Sequence, residues 1–190
     1  MPIVVGLVAF ALVVTVLVVF IVITTYNTVV ALDRRADRAW ANVDVALKQR
    51  WDELPNLVAA VRGQLGFERT VLDEVTRLRA AYAPAAPLPE QAATSIATTV
   101  AVRSLFSVVE RYPELHSNEN VMALQLEIER LETVIAHRRE LFNEQVYQYN
   151  ATIAQLPAVF LAGIFDWQQR ELFEIGAAER GRPEVGILPS

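Results

Sequence analysis

The first apolar pattern is an uninterrupted run from Ile3 to Ile23, IVVGLVAFALVVTVLVVFIVI, with no charged side chain and one threonine. At about 1.5 Å of rise per residue, a helix of this length crosses a hydrocarbon layer of roughly 30 Å. A cleaved signal peptide usually has a basic start, a shorter apolar run and a small-x-small cleavage site. The flanking segments MPIVVG and TTYN have none of these. The pattern therefore predicts a retained transmembrane anchor at residues 1–25.

After the anchor, apolar residues recur at alternating spacings of three and four, which predicts a helix with one stripe facing a partner. Asp33 and Arg50 interrupt this stripe. Because a buried unpaired charge is costly, each is expected to lie near a helix end or to meet an opposite charge. The stripe consists of Tyr26, Val29, Ala36, Trp40, Val43, Leu47 and Leu54.

Pro55 follows this stripe. Proline lacks a backbone donor and clashes with the preceding turn, so the first helix is expected either to kink there or to end. A second stripe leads to YAPAAPLPE, where three prolines from Pro84 to Pro89 predict a loop. The residues of the second stripe are Leu54, Leu57, Val61, Val71, Val75, Leu78 and Tyr82.

Two further helices are predicted. The third runs from about Gln91 to Arg111, with Thr and Ser outward and with Ile96, Val100, Leu105, Val108 and Val109 inward. The segment YPELHSNEN ends it, and Asn118 is a good N-cap for a fourth and longest soluble helix. The inward positions of this helix are Val121, Leu124, Leu126, Ile128, Leu131, Ile135, Leu141, Val146, Tyr149 and Ile153.

These elements predict an all-α protein, with an N-terminal single transmembrane helix followed by an up-down-up-down antiparallel four-helix bundle. The bundle is expected over residues 26–175 and a flexible C-terminal tail over 176–190. Only Met1 and Pro2 precede the span in this sequence, whereas Arg34, Arg35 and Arg38 follow it, and basic flanks stay cytoplasmic. A cell-membrane, single-pass protein with a cytoplasmic bundle is the expected arrangement.

Composition narrows the classes of partner. The formal net charge of -5 and the pI of 5.1 argue against nucleic acid, because phosphate binding needs clustered Lys and Arg. The chain has 0 cysteines, which excludes disulfides, thiolate nucleophiles and cysteine metal sites. The expected partners are the lipid bilayer and other membrane proteins, and self-association stays open.

Three separated blocks carry a family resemblance. They are YNTVVALDRRADRAWANVDVALKQRWDELPNLVAAVRG, then ERYPELHSNENVMALQLEIERLE, then FNEQVYQYNATIAQLPAVFLAGIF with ELFE after it. In this order they resemble the LemA family, membrane-anchored helical bundles of bacteria and some archaea. The positions that match are Asp37, Trp40, Asp44, Arg50, Pro55, Asn56, Tyr112, Pro113, Asn118, Asn120, Tyr149, Asn150 and Phe165.

The resemblance implies a four-helix bundle, which favours chain reversal at Pro55. It implies no reaction, because the family has no established enzymatic activity. Its members often accompany membrane metallopeptidases or other small membrane proteins, and a relative acts in magnetosome membranes. These associations imply a noncatalytic scaffold, adaptor or assembly factor. The chain departs from the family at Leu131, at Leu156 and in its terminal segment GILPS.

Catalytic chemistry is weakly indicated. His116 and His137 are separated along the chain by roughly 30 Å of helical rise, which excludes a shared site on a straight helix. Neither follows a glutamate by three residues, as the histidines of dimetal bundles do.

A carboxylate-metal hydrolase remains an alternative, and its candidate carboxylates are Asp37 and Asp44 with Glu127, Glu132 or Glu140. The simpler interpretation is that these carboxylates form ion pairs with Arg34, Arg38 and Arg138. A second alternative is an extracytoplasmic ligand-sensing bundle. No catalytic, cofactor or metal residue is therefore assigned.

The up-down order predicts two interaction surfaces. WDELPN and RYPELHSNEN are expected to share a distal tip, whose candidate partner-binding residues are Asp52, Glu53, Asn56, Glu114, His116, Asn118 and Glu119. The segment LPAVFLAGIFDW is too short to span a bilayer and is expected near the membrane. Its candidate membrane-interface residues are Phe160, Leu161, Ile164, Phe165 and Trp167, and a lid over the open end of the bundle is the alternative.

Overall fold

The computed structural model describes residues 1–62 and 69–173, and within these ranges the chain is helical with no strand. The all-α prediction is confirmed at that level. The helices are α1 (Pro2–Arg62), α2 (Arg69–Ala81), α3 (Leu88–Val109), α4 (Pro113–His116), α5 (Glu119–Ile153) and α6 (Ala158–Phe165). The predicted tail, residues 176–190, lies outside the described residues.

Helix α1 does not end at Pro55. The proline lies inside the helix, which continues for seven residues to Arg62, so the predicted reversal at Pro55 is wrong. An interior proline costs about 3 kcal/mol in helix propensity. Leu54, Leu57 and Val61 are fully buried around it. Each buried aliphatic side chain contributes roughly 1.5–3 kcal/mol, so packing on both sides of Pro55 outweighs the local penalty.

The chain divides into two compact units. Of the described residues, unit 1 comprises 1–41 and 140–172, and unit 2 comprises 42–62, 69–139 and 173. In unit 1, Val29 of α1 packs with Tyr149 and Ile153 of α5 and Ala158 of α6. Leu32 and Trp167 cover this small core. Unit 1 also contains the apolar N-terminal part of α1.

Unit 2 has a larger apolar core, in which α2 packs against α3 and α3 against α4. Of the inward positions that the two predicted stripes place in this unit, most are buried, which follows from the three and four spacing of the stripes. The buried residues of its helices include Val43, Leu47, Leu54, Leu57, Val75, Leu78, Leu105, Val109, Val121, Ile128, Leu131 and Ile135.

Several inward and outward assignments are wrong. Val100 of α3 and Leu126 and Leu141 of α5 are exposed, although their spacing predicted burial. Ser95 and Thr98 of α3 are buried, although they were expected to face outward. Ser95 lies on the inner face because it hydrogen-bonds a buried arginine, and the Thr98 hydroxyl donates to the Thr94 carbonyl at 2.8 Å.

The connection between α3 and α5 contains one helical turn, α4, where the sequence predicted only a loop. Leu115 in this turn is fully buried. The predicted N-cap is confirmed, because the Asn118 Oδ1 atom accepts hydrogen bonds from the backbone N–H groups of Asn120 and Val121 at 3.0 and 3.3 Å. These bonds satisfy two amides that the first turn of α5 leaves open.

Within the described residues, two helices are long and apolar enough to cross a membrane. The apolar window of α1 is 0% buried, and that of α3 is 44% buried. The exposure of the α1 window makes its first part the candidate membrane-spanning segment. Helix α3 buries apolar and hydroxyl side chains within unit 2, as a core helix of a folded domain does.

Candidate functional site

Arg50 is the centre of a buried polar cluster in unit 2. Its side chain is 0% exposed, and its Nη1 atom lies 2.8 Å from Glu132 Oε1 and 3.0 Å from Thr99 Oγ1. Its Nη2 atom donates to the Ser95 hydroxyl at 3.1 Å, and the Thr99 hydroxyl donates to Glu132 Oε2 at 2.7 Å. The predicted opposite partner of Arg50 is therefore found, and the cluster joins α1, α3 and α5.

Arg170 is the centre of a second polar cluster, in unit 1. Its guanidinium lies 2.6 Å from Asp33 Oδ1 and 2.7 Å from Asp37 Oδ1. The Asn150 amide binds the Arg170 backbone at both of its polar groups, with distances of 2.9 Å to the carbonyl and 2.8 Å to the N–H. Asp33 interrupts the apolar stripe of α1 and was therefore expected to pair with an opposite charge. Arg170 supplies that charge.

The charge of Arg170 is stabilised by these neighbours. Burial opposes the charge, but hydrogen bonds to Asp37 and Asp33 outweigh that penalty, so the pKa of Arg170 is raised above its usual value. The cluster fastens the segment after α6 to α1 and α5 within unit 1. Arg170 was missed as a site residue because the stripe shows that Asp33 needs a cation but not which cation supplies it.

A cavity of about 540 Å³ lies in unit 2 beside the stacked rings of Trp51 and Tyr82, whose centroids are 5.2 Å apart. The Tyr82 hydroxyl donates to Asp44 Oδ1 at 3.2 Å. Side chains of both charges line the cavity, so neither a cation nor an anion is clearly favoured as an occupant. The lining residues are Asp44, Lys48, Trp51, Asp52, Thr76, Arg79, Ala80, Tyr82 and Pro84.

The raised pKa of the Tyr82 hydroxyl predicts that the free energy of unfolding depends on pH. Burial, followed by the charge and hydrogen bond of Asp44, raises the pKa of Tyr82 from 10.0 to about 12. The unfolded chain therefore loses this proton first, so the stabilisation is present below about pH 10 and is lost as the pH rises towards 12. Urea unfolding at several alkaline pH values should give a flatter pH profile for Tyr82→Phe than for the wild type.

The matched control is Tyr147→Phe, because Tyr147 is exposed on α5. The loss of stability at alkaline pH is expected to remain in this variant, because Tyr82 and its hydrogen bond to Asp44 are unchanged. Tyrosinate absorbance measures the same ionisation directly, and Asp44→Asn is expected to shift the Tyr82 titration to lower pH. Equal slopes for Tyr82→Phe and Tyr147→Phe would contradict the prediction.

Three carboxylates of the hydrolase alternative each form an ion pair with an arginine. Asp37 pairs with Arg170, Glu127 with Arg130, and Glu132 with Arg50. Within residues 1–62 and 69–173, no group of three or more histidine and carboxylate side chains is arranged to hold a metal ion. His116 and His137 are both exposed, the first in α4 and the second on α5.

The distal-tip residues occupy two kinds of position in unit 2. Asp52, Glu53 and Asn56 lie on α1 rather than in a turn, and the Asn56 amide donates to Glu53 Oε2 at 3.1 Å. The other four, Glu114, His116, Asn118 and Glu119, are exposed around α4 and the start of α5. Asn118 already has a capping role, so Glu114, His116 and Glu119 are the predicted tip residues of that connection that are exposed and do not cap a helix.

The membrane-interface residues separate into two sets within unit 1. Phe160 and Ile164 of α6 are 74% and 73% exposed, and Phe165, the last residue of α6, is 40% exposed. Leu161 and Trp167 are half-buried, and Trp167 packs against the core formed by Val29, Tyr149, Ile153 and Ala158. Within unit 1, the segment therefore packs against the small core through Ala158 and Trp167 and presents large apolar side chains outward.

The sequence model of the LemA family matches residues 39–186, which is most of the chain. The chain belongs to the LemA family. Among curated protein sequences, no match to the chain was found.

Several positions at which the chain resembles LemA proteins lie in the polar clusters described above. Asp37 and Asn150 hold Arg170, and Arg50 binds Glu132, Thr99 and Ser95. Asn118 caps α5. These LemA-type residues thus have structural roles within the two units. Thr99 and Ser95 were not predicted as partners of Arg50, because hydroxyl residues on a helix usually face solvent. The only sign of their role in the sequence is that a buried Arg50 needs hydrogen-bond acceptors.

Proposed function

We propose that the protein is a noncatalytic membrane-anchored scaffold or adaptor that binds other membrane proteins. The observation that carries the proposal is the continuity of α1, in which one helix includes both the exposed apolar span and the buried stripe of unit 2. A partner bound to unit 2 is then connected to the membrane through α1. The basic residues Arg34, Arg35 and Arg38 support a single-pass arrangement with the folded part in the cytoplasm.

The four-helix bundle is the finer architecture that we propose for the folded part. In unit 2, the α1, α3 and α5 side chains of the Arg50 cluster lie within hydrogen-bonding distance, and α2 packs against α3. Both observations support four neighbouring helices with one core. A register fixed by a buried arginine suits a scaffold, because a fixed register keeps the outer surface constant.

The partner is proposed to bind the acidic surface around α4 and the start of α5. Glu114 and Glu119 give this connection a negative charge, and His116 lies between them. Exposed loop residues carried by rigid helices are the usual place for protein recognition. A membrane protein with a basic segment, such as a membrane metallopeptidase of the kind that LemA proteins accompany, fits this surface.

A photo-crosslinking experiment in intact membranes tests this proposal. A benzophenone amino acid is placed at Glu114, His116 or Glu119, then at Asp52, Glu53 or Asn56, and adducts are identified by mass spectrometry. Adducts to the same membrane protein are expected from positions 114, 116 and 119. Glu114→Lys combined with Glu119→Lys should remove the adduct formed from position 116. The matched control is Glu129, an exposed acid elsewhere on α5. Equal adducts from Glu129 would refute the acidic surface as the binding site.

The carboxylate-metal alternative has a separate test. It requires a stoichiometric divalent metal in the purified full-length protein, and elemental analysis measures this directly. We expect no bound metal to survive gel filtration. The reason is that Asp37, Glu127 and Glu132 are already paired with Arg170, Arg130 and Arg50. A retained metal lost on changing Asp37 or Asp44 to asparagine would favour the hydrolase.

A further inference from the structure

Helix α6 is composed only of apolar residues and glycine, AVFLAGIF, yet much of it is uncovered. Phe160 and Ile164 are four residues apart, which places them on one face of the helix. Both are more than 70% exposed, and Leu156, just before the helix, is 72% exposed. A contiguous exposed apolar surface of this kind usually marks a site that binds protein or membrane.

The position of α6 within unit 1 is fixed by its contacts. Ala158 is buried in the core with Val29, Tyr149 and Ile153. At the other end of α6, the Phe165 ring lies 5.0 Å from the Tyr26 ring, centroid to centroid. Helix α6 is therefore held beside α1 at both of its ends.

The Tyr26 contact sets α6 level with the exit of the apolar span. Tyr26 follows Ile23, the last residue of the span, by three residues, or about 4.5 Å of helical rise. Trp167 is stacked on Phe165 and lies 6.1 Å from Tyr26, so three aromatic rings cluster at this level. Tyrosine and tryptophan rings are enriched where the hydrocarbon meets the headgroups.

We propose that α6 is a second membrane-contacting element, lying in the headgroup region of the bilayer with Phe160 and Ile164 inserted towards the acyl chains. The proposal rests on the membrane anchoring by α1 that the proposed function includes. The occupant of the apolar surface is lipid rather than protein, because the surface is continuous with the fully exposed span. The exposed face of α6 is joined to the span by the aromatic cluster of Tyr26, Phe165 and Trp167.

The chemistry of α6 also predicts which lipid is needed. The helix has no lysine or arginine, and the nearby Arg170 is paired with Asp33 and Asp37. Interfacial helices that bind through charge need basic residues on the polar face and anionic lipid. Binding by α6 is therefore apolar, so a bilayer of phosphatidylcholine alone should be sufficient.

Site-directed spin labelling tests this inference on the full chain. Because the protein has 0 cysteines, Phe160→Cys and Ile164→Cys each introduce a unique labelling site. The labelled proteins are placed in phosphatidylcholine nanodiscs, and collision rates are measured with oxygen, which concentrates in lipid, and with a nickel chelate, which stays in water. Val13→Cys, in the middle of the span, provides the lipid reference.

Leu126→Cys and Tyr147→Cys provide the water references, because Leu126 and Tyr147 are 67% and 65% exposed on α5. The ratio of oxygen to nickel collisions at positions 160 and 164 is expected to exceed theirs by about tenfold, since apolar solutes partition into hydrocarbon.

Ratios equal to those at 126 and 147, with a lipid-like value at 13, would overturn the α6 inference and leave the anchor intact. Low collision rates with both reagents at 160 and 164 would overturn it too, because protein would then cover the helix. A water-like value at position 13 would instead refute the membrane anchoring on which the proposed function depends.

Discussion

Changing Glu132 to alanine is expected to lower the free energy of unfolding by about 3–5 kcal/mol, the cost of removing one partner from a buried ion pair. The variant leaves the Arg50 guanidinium fully buried without its counter-charge, since Arg50 is 0% and Glu132 21% exposed. Ser95 and Thr99 still accept hydrogen bonds from Arg50, but neither carries a charge. Urea unfolding in mild detergent, followed by circular dichroism, measures the loss.

Changing Arg50 to methionine should cost less than changing Glu132 to alanine. Methionine keeps much of the apolar volume of the arginine stem, and the partly exposed Glu132 carboxylate regains water when its partner is removed. The double variant is expected to be close to Arg50→Met alone, because the buried charge is then gone. This non-additivity is the signature of a direct pair, and a double-mutant cycle measures it.

Glu127→Ala is the matched control. Glu127 lies on the same helix and pairs with Arg130 at 2.5 Å, but both side chains are well exposed. An exposed ion pair is solvated and screened, so its loss should leave the unfolding midpoint almost unchanged. If Glu132→Ala behaves like Glu127→Ala, the Arg50 cluster does not stabilise unit 2 as argued.

The Arg50 cluster illustrates what the sequence can predict. The spacing of the α1 stripe identifies Arg50 as a charge on a buried face and so predicts that a partner exists. It does not identify Glu132, 82 residues later, because that pairing depends on how α1, α3 and α5 align along their axes. Asp33 and Arg170, 137 residues apart, give the same lesson in unit 1.

Pro55 illustrates the opposite failure. The effect of proline on a helix is a local rule that left a kink and a helix end open, and the family resemblance favoured a reversal. The helix instead continues to Arg62. Burial of Leu54, Leu57 and Val61 decides the outcome, and burial depends on neighbours that are distant in sequence. Asp52, Glu53 and Asn56 were expected at that turn, and they lie on α1 instead. The Asn118 cap was predicted correctly because a cap depends only on residues within one turn.

The exposed side chains of α5 and α6 show where periodicity fails. Leu126 and Leu141 follow the apolar spacing of α5 approximately, but a shift of one position turns a side chain by about 100° around a helix. In α6 nearly every residue is apolar, so no stripe exists to indicate which face is outward. Only the contacts of Ala158 and Phe165 identify Phe160 and Ile164 as the uncovered pair.

Changing Asn150 to leucine is expected to release the backbone around Arg170 while leaving the rest of α5 in place. Leucine has a similar shape but removes both hydrogen bonds to the Arg170 backbone. Leaving a partly buried backbone N–H and carbonyl unpaired costs about 1–3 kcal/mol. A change of 1.4 kcal/mol shifts the local opening equilibrium about tenfold. Amide exchange in residues 167–172 should therefore accelerate by roughly ten- to a hundredfold. Hydrogen–deuterium exchange with mass spectrometry measures this, and Gln148→Leu, which loses only the bond to Glu144, is the control.

The ion pairs of Arg170 and the hydrogen bonds of Asn150 both hold residues 167–172 on unit 1. Ionic strength distinguishes the two contributions. Arg170, Asp33 and Asp37 are 28%, 40% and 45% exposed, so screening weakens their attraction at high ionic strength. The acceleration caused by Arg170→Ala should therefore shrink in about 1 M salt, where the Debye length is roughly 3 Å. The effect of Asn150→Leu should persist, because backbone hydrogen bonds to a neutral amide are not screened in this way. If Asn150→Leu leaves residues 167–172 protected while Arg170→Ala exposes them, the ion pairs alone hold the segment after α6 on unit 1.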